Sequence, residues 1–130
     1  CAVPLFDNET VETGIVEEIT TQVANAIIKD GNMKVVGEFQ ADAVVRGSIV
    51  DVIDEAESYS KETSAEQFRI RVYADVTFFD RRKNRALWEE KRMEGEAAYA
   101  AGDLSARDDA IREATEMLAK EIIDKTVSGW

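Results

Sequence analysis

The sequence predicts an α+β two-layer sandwich, in which two helices pack on one face of a mostly antiparallel four-stranded sheet. Three observations predict this fold: two long segments with apolar residues at helical spacing, one segment of strict strand alternation, and the order strand, helix, three strands, helix. The 130 residues are typical of one compact domain, so we expect residues 1–130 to fold as a single unit.

The N-terminal part of the chain supplies the first strand and the first helix. Residues 2–6 form a short apolar run around a proline, as in an edge strand, and a turn composition follows. Thr13 is the expected N-cap of a helix over residues 12–29, and Gly31 is expected to follow its end. The apolar residues that recur at every fourth position in this helix are Ile15, Ile19, Val23 and Ile27.

The middle of the chain supplies three strands. Residues 42–54 are rich in β-branched side chains, and the polar residues 55–66 after them are expected to form a loop or a protruding hairpin extension. The next strand has the clearest pattern, because apolar and polar residues alternate from residue 68 to residue 78. A charged turn at residues 80–85 leads to a partner strand at residues 86–99.

The C-terminal segment, residues 103–128, has the pattern of a second long amphipathic helix. Asp103 is its expected N-cap, and Gly129 is expected to follow its last turn. The residues predicted to face the core from this helix are Leu104, Ile111, Ala114, Leu118 and Ile122.

The sequence lacks the residues on which most enzyme sites depend. It contains no histidine, which removes the commonest general base, the commonest zinc ligand and any serine–histidine triad. Neither common nucleotide-binding glycine motif is present, and the single cysteine, Cys1, excludes an internal disulfide. We therefore expect a non-enzymatic protein with no catalytic residues, no metal and no cofactor.

Charge is distributed unevenly along the chain. The sequence has 27 acidic and 16 basic residues, a net charge of -11, which makes it a poor general binder of nucleic acid. Residues 69–92 nevertheless hold eight basic and four acidic residues, so this segment carries +4 while the rest carries -15. Because a guanidinium donates two hydrogen bonds to one phosphate, we expect an anionic ligand to bind here. The candidate ligand-binding residues are Arg69, Arg71, Arg81, Arg82, Lys83 and Arg85.

A charged hairpin also has an interpretation that involves no ligand. Charged turns are usually solvated, and surface ion pairs contribute little to function or stability. In that case Arg69 and Arg71 would pair across the hairpin with Glu89 and Glu90. Both interpretations are compatible with the sequence.

Five segments resemble, in order, those of a known family. The opening strand and turn read P-x-F-x-N-x-T at residues 4–10, and the strand at residues 41–50 reads A-D-x-x-x-x-G-x-I. Residues 73–80, residues 87–90 and the closing helix with its terminal Gly-Trp follow. In these segments the chain resembles the LptE family of lipopolysaccharide-assembly lipoproteins, particularly its divergent members outside the enteric bacteria.

The resemblance implies a periplasmic sandwich held at the inner leaflet of a Gram-negative outer membrane by an N-terminal lipid. It also implies a plug inside an LptD-type outer-membrane β-barrel that helps to deliver lipopolysaccharide. The basic hairpin identified from the charge distribution agrees with this, since it could contact phosphorylated lipid A. Cys1 stands where the acylated cysteine of such a lipoprotein would stand, whereas family members usually place a spacer before the first strand. Cys1 is therefore either the lipid anchor or an ordinary strand residue.

A second class of function stays open. A periplasmic regulatory lipoprotein that activates a cell-wall enzyme, or joins a secretion complex through protein contacts, can share the same order of strands and helices. The identity of the binding partner, a β-barrel or an enzyme, distinguishes the two classes.

Overall fold

The computed structural model describes residues 1–57 and 67–128. Within these residues the chain forms two α-helices, a short 3₁₀ helix and four strands, in the predicted order of strand, helix, three strands, helix. The elements are β1 (Asp7–Asn8), α1 (Ile15–Asp30), the 3₁₀ helix (Glu38–Gln40), β2 (Ala43–Glu57), β3 (Gln67–Asp80), β4 (Arg85–Ala100) and α2 (Leu104–Ser128).

The four strands form one sheet in the order β1-β2-β3-β4, in which β1 is parallel to β2 and the other neighbours are antiparallel. On β3, every second residue from Ile70 to Phe78 is buried in the core that both helices share. The alternate residues on β3 are half-buried on the opposite, uncovered face, which we call the open face. The predicted α+β sandwich with both helices on one face of a mostly antiparallel sheet is confirmed.

The two helices lie side by side and run in the same direction. Glu12, just before α1, contacts Arg107 near the start of α2, and Glu18 contacts Arg112 one turn later.

Neither helix of the described part of the chain combines the length and the apolar character needed to cross a lipid bilayer.

The first strand is shorter than predicted and lies further along the chain. Instead of residues 2–6, only Asp7–Asn8 form a strand beside β2, and Ala2 adds one isolated bridge to Val44 of β2. Between these two contacts Pro4 has no N–H to donate to a ladder, and the Phe6 N–H donates to the Thr20 hydroxyl of α1 at 3.0 Å. Phe6 is thereby diverted into the core.

Glycine backbone conformations bound α1, whereas a side-chain cap begins α2. Thr13 does not cap α1; the helix begins after Gly14, whose φ of 81° is accessible to glycine, with no side-chain cap. Gly31, also at φ 81°, follows the end of α1 as predicted. The Asp103 carboxylate accepts the N–H groups of residues 105 and 106 at 3.0 and 3.2 Å, which confirms the predicted cap of α2. Gly129 lies outside the described residues.

The strands on both sides of the predicted loop at residues 55–66 are longer than expected. Residues 55–57 belong to β2, because each pairs with a residue of β3, and β3 begins at Gln67. The remainder of the predicted loop, residues 58–66, lies outside the described residues.

A glycine on β4 sets the distance between the sheet and α2. A Cβ atom at Gly95 would lie 2.0 Å from the Ala114 carbonyl oxygen and 2.9 Å from Leu118. Only a residue without a side chain allows the backbone of α2 to approach β4 this closely.

Candidate functional site

The long β3–β4 hairpin gives the sheet two distinct ends. At one end the turn of residues 81–84 joins β3 to β4, and residues 34–46 and the chain N-terminus lie beside it. We call residues 1, 34–46 and 80–85 the hairpin end. The opposite end of the sheet, where α1 and α2 begin, is called the far end.

A buried carboxylate builds the β3–β4 turn. Asp80 is only 4% exposed, and its Oδ1 accepts the backbone N–H groups of Arg82 at 2.9 Å and Lys83 at 3.2 Å. Asn84 has a φ of 52°, which closes the turn so that Asp80 faces Arg85. These contacts fix the turn backbone and leave its side chains directed outwards.

The basic side chains of this turn are exposed to solvent. Arg81 is attached to the neighbouring segment, because its N–H donates to the Asp42 carbonyl at 2.8 Å and its guanidinium donates to the Glu38 carbonyl. In residues 1–57 and 67–128 no carboxylate forms an ion pair with Arg82, Lys83 or Arg85, whereas Arg69, Arg71 and Arg92 all form such pairs. The turn therefore presents positive charge that this part of the protein does not neutralise.

Arg69 and Arg71, also predicted as ligand residues, lie on the open face of β3 among carboxylates. Arg69 pairs with Glu57 and, at 3.2 Å, with Glu96. Arg71 contacts Glu94 at 2.7 Å and also pairs with Glu96. The hydrogen bond to Glu94, followed by the other nearby carboxylates, raises the pKa of Arg71 above its ordinary value.

The prediction that Arg69 and Arg71 pair with Glu89 and Glu90 is wrong. The β3–β4 register places Glu96 opposite Arg71 and Glu89 opposite Thr77. In a hairpin, residues equally distant from the turn face each other, and two irregularities in β4 shift the pairing by two further residues. The acidic partners of the open-face arginines are therefore the later glutamates of β4 and the final glutamates of β2.

The six predicted ligand residues thus form two separate groups. Arg71 lies nine residues before Asp80 on one extended strand, which corresponds to about 30 Å at roughly 3.3 Å per residue. One group, at the turn, is exposed and has no acidic partner among residues 1–57 and 67–128, whereas the open-face pair is held by carboxylates. No single phosphate group can contact both.

The hairpin end contains residues that the sequence analysis did not select. Arg46 on β2 is exposed and pairs with Glu38 at 2.7 Å, and Lys34 is exposed on the connection that follows α1. Phe39, on the 3₁₀ helix, is 95% exposed. An isolated aromatic residue in a segment without periodicity was the only sequence signal for Phe39.

Cys1 lies at the hairpin end and is half-buried, with a free thiol. Its amino group donates to the Lys34 carbonyl at 2.7 Å, and its carbonyl accepts the N–H of Val36 at 2.9 Å. Partial burial lowers the pKa of this amino group, and the negative charge of Asp42 opposes that effect. The chain N-terminus therefore starts on the same end of the domain as the cationic turn.

The far end carries a polar cluster of a different kind. Arg107 forms paired hydrogen bonds with Glu12, at 2.7 and 3.1 Å, and with Asp54, both at 3.1 Å. The hydrogen bond from Arg107 is the main reason why the pKa of Asp54 is lowered. The Tyr99 hydroxyl also donates to Asp54, at 2.5 Å. With every member paired, this cluster joins the segment before α1 to α2, β2 and β4 and is structural.

Chemistry-bearing clusters are scarce in the described residues. No group of three or more carboxylates or thiols there has the arrangement of a metal site. Exposed, unneutralised cations at the hairpin end are the most distinctive surface feature, and they suit electrostatic binding of anions.

Comparison with known structures gives the same fold. Rare lipoprotein B from Shewanella oneidensis has a TM-score of 0.59 at 12% identity, with 98% of this chain and 95% of that chain covered. Lipoprotein B from Nitrosomonas europaea has a TM-score of 0.56 at 16% identity, with 98% and 84% covered. A minor lipoprotein from Acinetobacter baumannii has a TM-score of 0.51 at 11% identity, with 98% and 91% covered. At these identities the likeness establishes the fold alone.

The family assignment comes from the sequence as a whole. No individual curated protein matches the chain. The sequence profile of the LptE family, described as lipopolysaccharide-assembly, matches residues 1–126. This match covers nearly the entire chain and agrees with the segments singled out in the sequence. The chain therefore belongs to the LptE lipopolysaccharide-assembly family.

Proposed function

We propose that this chain is the non-enzymatic lipoprotein subunit of an outer-membrane assembly complex, which plugs an LptD-type β-barrel and binds lipopolysaccharide during its export. Family membership supports the assembly role. One observation carries the ligand proposal. The chain has a net charge of -11, yet its hairpin turn exposes Arg82, Lys83 and Arg85, none of which forms an ion pair within the described residues. The proposed phosphate-binding residues are Arg81, Arg82, Lys83 and Arg85.

Phosphate groups fit this turn for physical reasons. Arginine presents a planar fork that donates two hydrogen bonds to one phosphate, and lysine adds a point charge. The buried Asp80 holds the turn backbone in one conformation, so that only the side chains have to be ordered when an anion binds. The acidic remainder of the domain repels other polyanions, which favours binding at this turn alone.

Arg69 and Arg71 stay predicted ligand residues, but the structure gives them a competing role. A phosphate at this position would have to displace the carboxylates of Glu57, Glu94 and Glu96. We therefore place the principal phosphate contact at the turn. Arg69 and Arg71 on the open face would form a secondary contact, which requires displacement of these carboxylates.

The proposed location is the periplasmic face of a Gram-negative outer membrane, with Cys1 as the acylated residue. Family membership supports the outer-membrane location, and the half-buried Cys1 at the hairpin end is compatible with acylation. Replacement of Cys1 by serine in cells is expected to release the protein from the outer-membrane fraction. Unchanged membrane retention would show that Cys1 is not the anchor.

Binding of purified lipopolysaccharide in detergent tests the ligand proposal. We expect Arg82→Glu/Arg85→Glu to weaken binding by about a hundred-fold or more, since it replaces two contacts worth roughly 1.5–3 kcal/mol each by repulsion. The matched control, Arg112→Glu/Lys120→Glu, makes the same charge change on exposed positions of α2 and should have a small effect. Equal losses in both variants, or no loss in either, would refute a site at the turn.

A further inference from the structure

The most exposed aromatic side chain among the described residues lies at the hairpin end. Phe39 is 95% exposed, and Val36 close to it is 36% exposed. Single exposed apolar residues are common and need no explanation by themselves. Phe39 differs because of the charges that surround it.

Two arginines bind Glu38, the residue immediately before Phe39, and are therefore held close to Phe39. The Glu38 carbonyl accepts a hydrogen bond from the Arg81 guanidinium, and the Glu38 carboxylate accepts one from Arg46 at 2.7 Å. The hairpin end as a whole holds six Lys and Arg against three carboxylates, of which Asp80 is buried and Glu38 is paired. A large apolar ring therefore projects from a cationic surface.

The backbone holds Phe39 away from the core. Its 3₁₀ helix is anchored on one side by Ala41, which is 8% exposed, and on the other by the Val36 N–H, which donates to the Cys1 carbonyl. With both flanks attached and Glu38 bound to two arginines, the segment cannot rotate to bury the ring without breaking these contacts. Beside Cys1 lies a shallow depression of about 310 Å³ whose lining includes Met33 and Val36 together with polar side chains.

We propose that the hairpin end docks on the surface of an anionic lipid bilayer, with Phe39 inserted at the headgroup boundary and the turn cations against lipid phosphates. An exposed aromatic ring among cations is the combination that binds such an interface, because the ring is removed from water while the charges meet the surface potential. This docking goes beyond lipopolysaccharide binding, since the phosphates of ordinary anionic phospholipids satisfy the same cations.

The charge of the surroundings favours Phe39 at this end over Leu104 at the far end. Leu104 was predicted to face the core, which is wrong: it is 83% exposed at the far end, directly after Asp103 and four residues before the pair Asp108–Asp109. An anionic surface repels that end of the domain. An acyl chain attached to Cys1 would enter a bilayer at the same end of the protein as Phe39. The acyl group and the basic surface would then act together.

Flotation of the non-acylated full chain with lipid vesicles tests the proposal. The probes are phosphatidylcholine vesicles with and without phosphatidylglycerol, and no lipopolysaccharide is present. We expect binding to the anionic vesicles only, and we expect added salt to weaken it. Phe39→Ala should bind about five- to ten-fold more weakly, and the matched control Leu104→Ala should bind as the unaltered chain does.

Charge variants complete the experiment. Arg82→Glu/Lys83→Glu is expected to weaken vesicle binding by about a hundred-fold or more, because it changes the charge by four units at roughly five-fold for each unit before screening. The control Arg112→Glu/Lys120→Glu should change it little. Equal binding by Phe39→Ala and Leu104→Ala, or equal binding to neutral vesicles, would overturn the docking proposal. Loss of vesicle binding with retained lipopolysaccharide binding in detergent would overturn docking alone, and the reverse result would overturn only the proposed ligand.

Discussion

Arg107 is expected to be the most important charged residue for the stability of the fold. We consider Arg107→Met, which keeps much of the apolar length of the side chain but removes its charge. The substitution leaves Glu12 and Asp54 without the four hydrogen bonds that Arg107 donates at 2.7 to 3.1 Å. The side chains of Arg107 and Glu12 are 23% and 22% exposed, so water replaces these contacts only in part.

The magnitude follows from this partial burial. Hydrogen bonds to charged groups contribute roughly 1.5–3 kcal/mol each when buried, and exposure and screening reduce four such bonds well below their sum. We expect a loss of about 3 kcal/mol in the free energy of unfolding, or a decrease in Tm on the order of 10 °C for a domain of this size. Urea unfolding at neutral pH measures it.

The pH dependence provides a second test with a fixed sign. Folding lowers the pKa of Asp54 below its ordinary value of 3.8. The stability that this carboxylate contributes is therefore present above pH 3.8 and is lost as the pH falls through the pKa of Asp54 in the folded state. The difference between the unaltered chain and Arg107→Met should therefore be largest near neutral pH and should shrink below pH 3.8. Arg112→Met is the control, because Arg112 is 59% exposed, and it should cost less than about 0.5 kcal/mol. A loss below about 1 kcal/mol at Arg107, or one that is independent of pH, would refute the assigned role.

Three further substitutions test separate features of the fold. Gly95→Ala should lower stability by about 2–3 kcal/mol in urea unfolding, because its Cβ would meet the Ala114 carbonyl; unchanged stability would contradict the close approach of α2. Asp80→Ala should cost about 1–3 kcal/mol and raise amide exchange at Arg82 and Lys83, whereas unaltered protection would exclude the carboxylate as the turn acceptor. Arg71→Gln should lower stability by less than about 1 kcal/mol, since its partners are partly exposed, and a larger loss would show that the open face is more strongly coupled.

The elements that the sequence predicted well are those whose pattern is imposed by local burial. The alternation from residue 68 to residue 78 identifies β3 because period two is required wherever one face of a strand is buried. The helix that ends before Gly31 and the helix capped by Asp103 were found for similar reasons, since spacing and cap chemistry are local. Strand pairing is not local, which is why the first strand was placed at residues 2–6 and its contacts with β2 were not foreseen.

The candidate site could be predicted only in part. Counting charge over residues 69–92 identified the exposed turn, but it combined the turn with arginines about 30 Å away along the strand. The acidic partners of Arg71 depend on the hairpin register and on irregularities in β4, which have no signature in the composition. Phe39 was missed because the position of its segment depends on contacts of Glu38 with Arg46 of β2 and with Arg81, which is 43 residues away in the sequence.

The most direct test of the assembly function is co-purification of the tagged, full-length protein from native outer membranes, followed by mass identification of its partners. We expect a large outer-membrane β-barrel of the LptD type in one-to-one ratio, together with lipopolysaccharide that is reduced in Arg82→Glu/Arg85→Glu. Recovery of a cell-wall enzyme or a secretion complex without any barrel would contradict the account and assign the protein to the regulatory class.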